Sequence, residues 1–130
     1  MFIVRHFVMG FILCGLFAST VAFADAGQEK SAIYQMAEIM HRMKHYPSPQ
    51  GKEVLTKITQ ASNSTENERV IATAMIDLEH HVADSDVPKL KAIIGNDKAT
   101  AHERTLAKII LDFDHRPSKQ DKAQLEEMMQ

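Results

Sequence analysis

A phrase that this chain of 130 residues writes twice restricts its fold more than its composition does. "KHYPSPQGKEVL" from Lys44 and "DHRPSKQDKAQL" from Asp114 agree at six of twelve positions: His, Pro, Ser, Gln, Lys and Leu. His45 and His115 lie 70 residues apart, twice 35, which places a middle copy at His80. In register the copies read "MAEIMHRMKHYPSPQGKEVLTKI" (36–58), "IATAMIDLEHHVADSDVPKLKAI" (71–93) and "LAKIILDFDHRPSKQDKAQLEEM" (106–128). "TENERVIA" from Thr65 and "TAHERTLA" from Thr100 repeat at the same step. A unit this short cannot bury an apolar face alone, so the copies must pack on one another.

Each copy reads as two helices. Thr65 with Glu68, and Thr100 with Glu103, have capping-box spacing, in which the hydroxyl and the carboxylate each satisfy a free backbone N–H. "Pro-Ser" at 47–48 and 117–118 stops the first helix, because proline disfavours a helical residue before it. Ser48 and Ser118 then cap the second helix, while Asp84, Ser85 or Asp86 takes that part in the middle copy. The apolar positions Met36/Ile71/Leu106, Ile39/Ala74/Ile109, Met40/Met75/Ile110 and Met43/Leu78/Phe113 keep the helical period. Ala37, Ala72 and Ala107 are small in every copy, as close helix contact requires, and Leu55, Leu90 and Leu125 stripe the second helix with Ile58, Ile93 and Met128. The spacing predicts an all-α domain of three stacked antiparallel helix hairpins, about 31–60, 65–95 and 100–129. Their helices span 31–45/48–60, 65–81/85–95 and 100–115/118–129.

Residues 1–24 stand apart. A weakly basic start, the apolar run "FVMGFILCGLF" and the ending Ala22-Phe23-Ala24 are those of a secretory signal peptide. Its removal would leave 25–130 as the helical domain and place the protein in the periplasm or outside the cell. The single cysteine, Cys14, would leave with it, so the domain rests on packing rather than disulfides. Arg5 also leaves, which takes 15 basic residues to 14 against 17 acidic ones and the net charge from −2 to −3. That balance offers no nucleic-acid footprint and no basic stripe for a membrane surface.

The paired helices at this repeat length resemble the tetratricopeptide and related helical-hairpin repeats, here as a small exported protein of the bacterial type. The likeness is one of architecture, since no copy carries the Leu-Gly pair and Tyr of that family's first helix. It implies a short right-handed α-solenoid that works as a scaffold, its concave face open to a protein or peptide partner. Ile33 and Tyr34 at one end, and Met128 and Met129 at the other, would leave apolar surfaces through which a homodimer could form.

No reactive constellation accompanies the repeat. There is no phosphate-binding glycine loop or zinc-protease motif, and Asp112 and Asp114 point to different sides of a helix. The expectation is therefore a non-enzyme with no catalytic residue, no cofactor and no metal. The metal candidates weighed against it are His41, His45, His80 and His115, with copper or zinc as the ion. Met36, Met40 and Met43 align with Ile, Leu and Phe, so they read as core rather than as copper ligands. His45, His80 and His115 are assigned to the last helical turn, where imidazole donates to unpaired carbonyls at the negative end of the dipole. Helices packed roughly 8–10 Å apart would keep the three rings from one ion. Arg69 and Arg104 are expected to pair with acidic groups on adjacent hairpins.

Overall fold

Hydroxyl caps set where most of the helices begin. In the computed structural model, which describes residues 30–130, six helices follow one another. They are α1 (Ala32–Arg42), α2 (Pro49–Gln60), α3 (Glu66–Ile76), α4 (Val87–Ile94), α5 (Ala101–Leu111) and α6 (Lys119–Met128). The expected signal peptide lies outside the described residues. Among the described residues there is no strand, and no helix is long and apolar enough to cross a membrane.

Thr65 and Thr100 form capping boxes with Glu68 and Glu103, and Ser118 forms a third with Asp121. Ser48 accepts from the Gly51 N–H. The middle copy has Ala83 where the others have serine, and α4 starts without a side-chain cap bond. Asp86, in its N-cap position, is buried with Oδ2 unpartnered, while Oδ1 takes Lys89 at 3.0 Å.

The first helix of each copy ends sooner than the spacing predicts, at Arg42, Ile76 and Leu111. Beyond it the chain buries Met43, Leu78 and Phe113 and then leaves right-handed helical geometry. The histidines thus stand outside the helices rather than in their last turns.

The repeated apolar positions form one core. Met36, Ile71 and Leu106, the three alanines Ala37, Ala72 and Ala107, and Leu55, Leu90 and Leu125 are all fully buried. Small side chains suit the approach of α1, α3 and α5 to one another. Each of these helices has its most extensive partner in the preceding copy: α2 lies against α3, α4 against α5, and α6 against α1. Through the last contact the sixth helix lies against the first. Met128 is buried, and Ile33 and Met129 are partly buried against the core.

The arginines also depart from expectation. Arg69 Nη2 donates to the Ala61 carbonyl at 3.1 Å, and Arg104 Nη1 to the carbonyls of Asn96 and Ala99 at 3.2 and 2.6 Å. Each satisfies loop carbonyls just ahead of its own helix, where an acidic partner would leave them bare.

Glu103 does more than cap its helix. Its buried carboxylate accepts from Asn67 Nδ2 at 3.0 Å, the Thr100 N–H at 2.8 Å and the Thr65 hydroxyl at 2.9 Å, joining the starts of α3 and α5. Burial pushes its pKa up, but these hydrogen bonds outweigh burial and hold it below the ordinary value. A depressed folded-state pKa gives stability that is present above the unfolded value and lost as pH falls through the folded one. Glu103→Gln, which turns an acceptor into a donor facing donors, should cost about 1–3 kcal/mol near neutral pH. The gap between wild type and variant in denaturant titrations should begin to narrow below about pH 4.3, the unfolded value, and close as pH falls through the lower folded-state one. A gap independent of pH would show that the carboxylate charge is not what matters.

Candidate metal centre

Three residues among those described have positive φ: His45 at 64°, His80 at 62° and His115 at 61°. In each copy the residue after the histidine donates its N–H to the carbonyl of the residue before it. These bonds are Tyr46 to Lys44 at 2.7 Å, His81 to Glu79 at 2.6 Å and Arg116 to Asp114 at 2.6 Å. A hydrogen bond across two residues with positive φ between them is the rarer and more strained form of γ-turn. Histidine, with asparagine and aspartate, tolerates this region better than most side chains, though glycine alone occupies it freely.

The strained turns bond to one another in a cycle. His80 N–H donates to the His45 carbonyl at 2.7 Å, His115 to His80 at 2.9 Å, and His45 to His115 at 2.6 Å. Each peptide gives to one neighbour and takes from the other, so the N–H and carbonyl of all three histidines are used.

The imidazoles stand together on the exposed side of this ring. Their centroids are 5.1 Å (His45–His80), 5.1 Å (His80–His115) and 5.3 Å (His45–His115) apart. One potential ligand atom from each lies within 4.8 Å of the other two. The three rings expected to stay apart are thus brought together. Interhelix spacing does not govern them, because the residues sit on loops that converge beyond the helix ends.

A second group adjoins the first. His81, Asp114 and His115 also offer ligand atoms within 4.8 Å of one another, and the His81 and His115 rings are 5.4 Å apart. His115 Nδ1 is hydrogen-bonded to Asp114 Oδ1, and His81 Nδ1 lies 3.8 Å from the same oxygen. The bond to His115 is the main cause holding the Asp114 carboxyl below the usual carboxylate range; desolvation opposes it, and weaker electrostatic contributions from His115 and His81 assist.

His41 takes no part. Its Nε2 is 3.0 Å from Glu126 Oε1, so it joins α1 to α6 instead of pairing with His45. Sequence spacing singles out His45, His80 and His115 but misses His81 and Asp114. Their neighbourhood depends on how the second copy packs on the third and has no counterpart in the other copies, where Tyr46 and Arg116 align with His81 and Lys44 and Glu79 with Asp114.

Imidazole nitrogens suit zinc, copper and nickel. In a tetrahedral site with metal–nitrogen bonds of about 2.0–2.1 Å, ligand nitrogens lie roughly 3.3 Å apart. The trio must therefore draw in by at most about 1.5 Å, a shift that side-chain rotation at an exposed surface can supply. No family model, no curated protein and no solved structure matches this chain.

The backbone geometry makes a prediction separate from any ligand. His80→Gly should be neutral or stabilising by up to about 1–2 kcal/mol, because glycine relieves the strained φ at an entropic cost. His80→Val, β-branched at positive φ, should lose about 2 kcal/mol or more. Urea unfolding of both variants checks this; equal damage from Gly and Val would mean that φ is not what limits the position.

Proposed function

We propose that the three 35-residue copies form a closed ring of helix hairpins whose working product is the histidine cluster. In this reading the chain is an exported, non-catalytic protein of the periplasm or cell exterior. It binds a borderline divalent ion, zinc or copper(II), through His45, His80 and His115. The observation that carries the reading is the convergence of one imidazole from each copy on a single point at the axis. The residue type supports it as well. Each of the three positions tolerates its positive φ at a cost that glycine would remove, and each is histidine.

Three histidines also leave one coordination position open, as catalytic zinc sites do. Catalysis, however, needs a shaped site that excludes water. Here all three histidines are exposed, with the His115 side chain at 50% and Asp114 beside it at 72%. Binding and exchange of the ion fit that exposure; turnover does not.

Thermal melts with zinc and with copper(II) test the reading. An ion at a hundredfold excess over its Kd stabilises by about 2.7 kcal/mol, which raises the Tm of a domain this size by about 10 °C or more. The triple glycine variant of His45, His80 and His115 should fold and lose the whole shift. A wild type that melts unchanged in both metals would end the proposal.

Partner binding, the other expectation from sequence, is favoured by one specific observation. A groove of about 770 Å³ between α1 and α2 is lined by Ile39, Met43 and Val54, and Tyr46 at its edge is 58% exposed. Gly51 on its wall lets α2 approach α1 closely, since a Cβ there would lie 3.3 Å from Ile39 Cγ2. Affinity capture from periplasmic extract should yield a recurrent protein that Val54→Arg bait loses; identical capture by both baits removes this reading.

A further inference from the structure

His115 belongs to both donor groups, and its two nitrogens lie on different sides of one ring. Nδ1 faces Asp114, whose oxygen also faces His81. Nε2 is then the nitrogen left for His45 and His80. We propose that His81, Asp114 and His115 form a second cation site, occupied together with the three-histidine site, with the His115 imidazole bridging the two ions. The proposal rests on the metal-binding reading above. The second site has two nitrogens and one carboxylate oxygen, a donor set that takes zinc, copper(II) or iron(II).

Loading balances simply. The first ion displaces water and bonds Nε2 of neutral His115, with His45 and His80. The second ion bonds Nδ1 as the N–H bond there breaks, and that proton passes to bulk water. The negative imidazolate between two dications, with the Asp114 carboxylate on the outer one, offsets their mutual repulsion. The site can occur only once in the ring. Copy one has Lys44 where copy three has Asp114, and Tyr46 and Arg116 occupy the positions equivalent to His81. The packing of copy two on copy three, with the His115 N–H bonded to the His80 carbonyl, brings His81 against Asp114, whereas the equivalent positions at the other two junctions are Tyr46 with Glu79 and Arg116 with Lys44.

Copper(II) titration of the full domain, followed by calorimetry and electron paramagnetic resonance, tests this. Two equivalents should bind to wild type. The first should give a mononuclear spectrum, and the second should diminish or broaden it through coupling across the shared ring. His81→Ala and Asp114→Asn should each bind one equivalent and keep the mononuclear spectrum. His45→Gly should lose the inner site and keep one equivalent, at the outer donors. Saturation of wild type at one equivalent overturns the second site while leaving the inner one standing. Two equivalents with uncoupled spectra overturn the bridge. No binding by wild type at all would instead defeat the underlying metal-binding reading.

Discussion

Three hydrogen bonds between three histidine peptides hold the junction on which everything else in the described chain converges. His45, His80 and His115 are 35 and 70 residues apart, yet each backbone donates to one of the others and accepts from the third. None of these bonds can be replaced locally, because the γ-turn has already used the flanking carbonyl and N–H. A strained backbone persists only where its surroundings over-determine it. Here the surroundings are the buried side chains Met43, Leu78 and Phe113, just ahead of each turn, and the other two turns themselves.

A cycle of three also explains features that an open array would leave puzzling. Linear repeat proteins need terminal units with a polar outer face. Here α6 instead lies on α1, and Met128 is buried. The seam between the last and first copies has its own contact, His41 to Glu126, at positions where the other copies carry Ile76 and Leu111 against Thr56 and Lys91. Joining α6 to α1 closes a long loop, whose entropic cost grows only slowly with length. The contacts needed to offset it are those the repeat already uses at the other two junctions.

Much of the local structure was legible because it is written in short-range chemistry. Thr65 with Glu68 and Thr100 with Glu103 declare two helix starts, and the step-of-four apolar pattern from Met36, Ile71 and Leu106 declares the core. The helix ends were less legible. Nothing in "MKHYPS" distinguishes a histidine in a last helical turn from one at positive φ, where glycine or asparagine would have been the usual signal. Closure was not legible at all, since a unit that stacks and a unit that cycles share the same apolar stripe and differ in a small rotation between copies. The outer donors went unseen for a related reason. His81 and Asp114 come from different copies and become neighbours only when the second copy packs on the third.

The histidine cluster gains significance from being redundant for folding. The ring of backbone bonds needs a residue that accepts positive φ, and glycine would meet that need with less strain. It does not need an imidazole, still less three imidazoles within about the same 5.1–5.3 Å of one another. Side chains held close at an exposed apex, on a frame that fixes their Cα positions, resemble the preorganised donors of a cation site. The frame supplies what three surface histidines on separate flexible loops would lack, because their Cα positions are set by the backbone before any ion arrives. Exposure then sets the kind of use. An ion held by exposed imidazoles, with a coordination position facing solvent, is accessible to any competing donor. On the metal-binding reading proposed above, such a centre would take up and give away a metal rather than bury one.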